Sequence, residues 1–158
     1  MTAYSYPSDM FPAFPSVAVE TPENWTGLLV PNTVLAVGRV TEPGQFRPNV
    51  IVAISRFAEG YTLQTAVDAT VEKFAGLEGA VEIGKDVSTI NGHEWAHIEA
   101  SFIDPRVGTL VQAAHLAVVA TGQVVDLVQV TGTVTAAQAK ENLHEEIRAI
   151  QRSVVLGR

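Results

Sequence analysis

INGHEWAHIEASFIDPRVGTLVQAAHLAVVATGQVVDLVQVT, residues 90–131, is the stretch whose reading decides the fold. Asn91-Gly92 is a strong hairpin signal, because both turn positions need a positive φ that Asn and Gly tolerate. Two strand-like runs follow, Glu94–Ile103 and Thr109–Thr121, joined by the turn Asp104-Pro105-Arg106-Val107-Gly108. A third run, Val124–Thr131, leaves through Thr121-Gly122. Antiparallel neighbours need only local connections, so this meander is expected at the centre of a sheet.

The alternation within the first run places Ala96, Ile98, Ala100 and Phe102 on one face. His93, Trp95, His97, Glu99 and Ser101 fall on the other. With Ile103 opposite Thr109 across the turn, paired residue numbers sum to a constant, and His97 comes to lie directly opposite His115. Glu99 stands two residues along the same face. Opposed side chains in such a pair approach to about 4.5–5.5 Å at Cβ. A single residue of slip moves His115 to the other face. Trp95, His97, Glu99 and His115 therefore form a candidate binding surface, an aromatic among polar groups being typical of a contact patch. The alternative is a small-molecule or divalent-metal site on His97, Glu99 and His115, since two imidazoles and a carboxylate suit such an ion. Hydrogen-bonded sheet residues explain the same pattern, and no metal is favoured.

Upstream of the meander, residues 1–16 read as an extended arm carrying Tyr4, Tyr6, Phe11 and Phe14 between prolines that exclude a helix. Such an arm lies over its own domain or exchanges with a second protomer; in either case Phe11 and Phe14 are expected to be buried, and a homodimer is one outcome. Val17–Val19 is a short strand, and Pro22-Glu23-Asn24-Trp25 a turn delivering Trp25 as a plug at the sheet edge. Val34–Val40 and Val50–Phe57 are strands, the second apolar enough to suggest burial on both faces. In Thr62–Leu77 the residues Leu63, Ala66, Val67, Val71, Phe74 and Leu77 recur at helical spacing. Val81–Ile90 is a further strand. Thr135-Ala136-Ala137-Gln138 matches a capping box, opening a helix Thr135–Val154 with the stripe Ala139, Leu143, Ile147, Ile150 and Val154. The reading is α+β: an antiparallel sheet of about five to seven strands flanked by helices, with one domain over residues 17–158.

Composition narrows the function classes. The 158 residues are 47% hydrophobic and 17% charged, with a formal net charge of −7 and ten basic residues. That balance argues against a nucleic-acid partner, which needs clustered Lys and Arg. The chain has no cysteine, so it holds no disulfide, thiolate nucleophile or zinc–sulfur site. No apolar run reaches the roughly 18 residues of a membrane span. The first residues show neither a signal peptide nor a lipoprotein cysteine, and a cytoplasmic location is expected. No phosphate-binding Gly loop, nucleophile elbow or glycosidase carboxylate pair is present, so no cofactor is implied and an enzyme is the less favoured class.

Thr21-Pro22-Glu23-Asn24-Trp25 after a first short strand, a strand pair, a helix and a strand, then Ile90-Asn91-Gly92-His93-Glu94-Trp95 opening a meander and a final amphipathic helix, resembles the PsbP-like α/β/α sandwich superfamily. Within it the chain looks most like the actinobacterial LpqN-type proteins. The resemblance spans residues 15–155. It implies a binding or assembly role, as in a photosystem extrinsic subunit and a nuclear import factor that binds a small GTPase, and hence a protein partner or self-association. It carries over no catalytic residue. LpqN-type proteins are usually exported lipoproteins, a pattern from which this chain departs in lacking the lipobox Cys and signal sequence.

Overall fold

A computed structural model describes residues 1–157. Seven antiparallel strands form the main sheet. In chain order they are β2 (Trp25–Gly27), β3 (Leu35–Arg39), β4 (Asn49–Ala58), β5 (Val81–Ile90), β6 (His93–Asp104), β7 (Gly108–Thr121) and β8 (Val124–Thr135), lying side by side as β2-β3-β4-β8-β7-β6-β5. The meander β6-β7-β8 sits inside the sheet, and every neighbouring pair is antiparallel. Asn91 and Gly92 both take positive φ at the β5–β6 turn, the backbone that this dipeptide favours.

Helix α1 (Leu63–Ala75) covers one face. Thr62 caps it, its hydroxyl accepting from the Thr65 N–H. Ala66, Val67 and Phe74 pack on Ala96, Ile98 and Ala100, the even residues of β6. Helices α2 (Ala136–Lys140) and α3 (Leu143–Arg152) cover the opposite face. The capping box at Thr135 and Gln138 is formed, and Gln138 also donates to the Phe46 carbonyl. Ile147, Ile150 and Val154 pack against Val50, Val52, Val128, Val130 and Val134. Fully burying such a side chain is worth about 1.5–3 kcal/mol. Gly132 of β8 lets α3 approach closely, because a Cβ there would run into the Ile147 side chain.

Several boundaries differ from the sequence reading. The last helix is not continuous: Asn142 takes φ 65°, a left-handed conformation that Asn tolerates, and separates α2 from α3. Past Val154 the chain forms β9 (Val155–Gly157), a strand the sequence reading missed. It pairs with β1 (Ser16–Ala18) as a two-stranded ribbon on the α3 side, where Val17 and Leu156 pack on the core. The first strand thus starts one residue earlier than its Val17–Val19 pattern suggests. Strand β4 is buried through Val50 and Val52 toward α3, but Ile51 and Ala53 are only half-buried. The reason is that α1 packs chiefly on β5, β6 and β7. Trp25 sits at the sheet edge as expected, half-buried, its indole N–H 3.3 Å from Glu146 Oε1.

The arm corrects a further expectation. Within the protomer Phe11 and Phe14 are 40% and 41% exposed, not buried. Tyr4 packs edge-on against Phe11 and Tyr6 against Phe14, while the Phe14 ring lies 4.4 Å from the Arg56 guanidinium. Arg56 in turn makes a bidentate pair with the fully buried Asp126 at 2.8 and 2.9 Å. The aromatics therefore contact one another and a charged strand residue, and they leave much of their surface open.

Candidate functional site

The β6–β7 hairpin holds the expected register: Ile103 faces Thr109, and His97 faces His115. The odd residues of β6 point at α3, and their layer is closed over. Trp95 is 1% exposed, Glu99 5% and His115 2%, while His97 is half-buried. Trp95 is thus a core residue and not an exposed contact aromatic, which corrects the reading of this face as an open surface. Its indole stacks on the His115 imidazole with centroids 4.6 Å apart and planes 7° from parallel.

Across that layer runs a row of ionisable groups. His115 Nδ1 lies 3.0 Å from His97 Nδ1, and His97 Nε2 lies 2.6 Å from Glu99 Oε2. Arg148, from α3, grips the same carboxylate through Nε and a terminal nitrogen, both at 2.7 Å, and also pairs with Glu145. Such two-pronged, charge-assisted contacts are the strong ones. Burial alone would raise the Glu99 carboxyl; hydrogen bonds from Arg148 and His97, with their charges, overcome it and hold the group at about 2. His115 is pushed down to about 3 by burial, aided by His97 and the positive charge of Arg152. Arg148 is raised by its hydrogen bond to Glu99.

These constraints place a hydrogen at His97 Nε2. Glu99 is ionised, so His97 Nε2 carries a hydrogen and donates to it. In the form with one proton on each ring, His97 Nδ1 is an acceptor and His115 Nδ1–H donates to it. In that form His115 Nε2 is a bare lone pair, and the atom is buried and without a partner among the described residues.

The row borders a cleft of about 410 Å³ between β5 and α3. Gly84, Asp86 and Ser88 form its strand wall, Arg148 and Arg152 its helical wall, and His97 and His115 line it between them. Asp86 pairs across the ladder with His97, Ser88 with Trp95 and Gly84 with Glu99. The row does not match the metal-site alternative for His97, Glu99 and His115. Both Glu99 oxygens are held by Arg148, both His97 nitrogens are engaged, and the guanidinium repels a cation. Among the described residues no group of three or more His, Asp or Glu side chains is disposed to hold a metal ion.

Sequence reasoning missed Arg148 and Arg152, which lie outside the apolar stripe of the last helix. A signal was present. Glu145, Arg148 and Arg152 follow one another at spacings of three and four, forming a line beside the apolar stripe. A Glu on a covered strand face also demands a cation from whatever covers it.

No family model and no curated protein matches the sequence. Solved structures do match, over most of the chain. LpqN of Mycobacterium tuberculosis, described as involved in cell envelope biogenesis, superposes with a TM-score of 0.78 at 13% identity, covering 93% of this chain and 86% of LpqN. Cyanobacterial PsbP from Synechocystis gives 0.54 at 15% identity, covering 91% of this chain and 94% of that one. The chain has the PsbP-like fold. The Ran-binding protein Mog1p of Saccharomyces cerevisiae matches the same PsbP-like sandwich with a TM-score of 0.57 at 13% identity, over 88% of this chain and 89% of Mog1p. At such identities the property these proteins share with it is the PsbP-like architecture. No helix among the described residues is long and apolar enough to cross a membrane.

Proposed function

We propose that this PsbP-like protein is a non-catalytic binding module whose recognition site is the cleft between β5 and α3. The observation that carries the reading is how the row spends its polar atoms. Glu99, His97 and Arg148 are committed to one another, while His115, which lines the cleft, keeps its buried Nε2 without a partner among the described residues. A group already bound into a rigid ion pair is poorly placed to exchange protons with a substrate, whereas a preorganised wall with one unmet hydrogen bond suits recognition. The role of Mog1p as a Ran-binding protein is consistent with use of this fold for binding.

The test uses a variant that blocks the cleft and removes nothing. Gly84 has open space where a side chain would begin and faces Glu99 across the ladder, so Gly84→Phe fills the cleft. A small-molecule library is screened by protein-observed NMR on the intact chain. The expected result is a set of guests that perturb His97 and His115 and are lost in Gly84→Phe at unchanged melting temperature. Guests that bind equally well to that variant, or that the protein converts to products, overturn the reading.

A second reading concerns self-association, favoured by the exposed aromatics of the arm. Tyr4, Tyr6, Phe11 and Phe14 keep between two fifths and three quarters of their surface open in the protomer. A two-fold dimer that covers them would offset the entropy lost in ordering the arm.

A further inference from the structure

Three charges on the cleft walls have no ion-pair partner among the described residues: Arg152, in the last turn of α3, and Lys85 and Asp86, on β5. Arg148 is neutralised by Glu99 and Glu145. The floor between those walls holds His115, nine-tenths buried or more, with its Nε2 unsatisfied. A buried polar atom without a partner carries a desolvation cost that a ligand can recover. We propose that the cleft takes a small monocarboxylate, its acid group held between the Arg152 guanidinium and His115 Nε2–H, and that binding draws one proton into the row. This inference rests on the cleft being the recognition site and adds the chemical class of its guest.

The proton follows from connectivity. A carboxylate repels a bare lone pair, so Nε2 must carry the hydrogen when the anion is bound. His115 stays neutral because it stacks on Trp95 out of solvent and faces Arg152, so its Nδ1 hydrogen must leave. The only acceptor at that nitrogen is His97 Nδ1, 3.0 Å away. His97 keeps its Nε2 hydrogen because the ionised Glu99 lies 2.6 Å from it. The outcome is an imidazolium at His97, paired with Glu99, and a proton from solvent on His115 Nε2. One proton enters, one crosses the ring–ring hydrogen bond, and no other bond changes. The unpaired wall charges, Arg152 and Lys85 against Asp86, leave a net charge of one positive unit, which a single negative charge balances and a phosphate dianion exceeds.

The test is calorimetric titration with benzoate at pH 8.5, well above the ordinary histidine value of about 6.5, in two buffers of different ionisation enthalpy. Histidine ¹⁵N spectra are recorded on the same samples, and inorganic phosphate and benzylamine serve as comparison probes. The expected result is uptake of one proton per benzoate, with the His115 hydrogen moving from Nδ1 to Nε2. Arg152→Gln should weaken benzoate at least tenfold, and His97→Gln should abolish the proton uptake while the melting curve stays cooperative. Benzoate binding without proton uptake, or phosphate binding more tightly than benzoate, overturns the proposal. Benzylamine perturbing His115 where benzoate does not overturns the acid class of guest and leaves the cleft reading standing. No probe perturbing any cleft residue counts against both.

Discussion

His115 should make the protein lose stability in mild acid. Its ordinary value of about 6.5 falls to about 3 in the folded state, because the ring is buried against Trp95 and faces His97 and Arg152. The unfolded chain therefore takes up a proton below about pH 6.5 that the folded chain refuses until about pH 3. The contribution is complete above 6.5 and is lost progressively as the pH falls toward 3. Each pH unit within that window is worth about 1.36 kcal/mol, so lowering the pH from 7.5 to 4.5 should remove about 3 kcal/mol through this one group. Glu99 enters below that interval, since its window runs from its ordinary value of 4.5 down to about 2. The assay is urea unfolding of the intact protein at both pH values, for the natural sequence and for His115→Gln, with His115→Phe as a second non-titrating side chain. The variants should start less stable at pH 7.5 and lose about 3 kcal/mol less between the two conditions. Parallel losses, within about 0.5 kcal/mol, would refute the buried neutral imidazole.

Three further predictions concern what holds the layers together. Arg148→Met strands the buried Glu99 carboxylate and should cost about 3–5 kcal/mol in a urea melt, with Arg148→Met/Glu99→Gln recovering part of it; equal stability of the two variants would contradict the ion pair. Ile147→Ala should cost about 2–5 kcal/mol, and Gly132→Ala should also destabilise by pushing α3 off the sheet. Because these two residues touch, the double variant should be less destabilised than the sum of the singles, and strict additivity would show that they do not meet. Light scattering at tens of micromolar should report a dimer for the intact chain and a monomer after deletion of residues 1–15; a monomer throughout would end the self-association reading.

What was legible in the sequence was whatever nearest neighbours determine. The His97–His115 pairing could be read because a short turn fixes a constant sum of residue numbers, and α1 because its apolar spacing is continuous from Leu63 to Leu77. The Thr135 capping box was local in the same way. Coverage of the sheet was not local. Residue types on the Trp95 face alternate as a solvated strand would, yet that face is dry because Arg148, 49 positions later, supplies the charge that lets Glu99 be buried. The helix break at Asn142 depends on one backbone angle that no periodicity announces. Strand β9 has three residues, too few to alternate, and exists because β1 is there to pair with it.

The cleft between β5 and α3 competes with a groove on the α1 side, where Tyr61, Phe74 and Lys73 face Gln112, Gln129 and Thr131 across about 230 Å³. A crystallographic fragment soak of the intact protein compares the two directly. The account predicts that bound fragments gather between Ser88 and Arg152, with a polar atom in hydrogen-bond reach of His115 Nε2. Fragments that fill the α1-side groove while this cleft stays empty would contradict it.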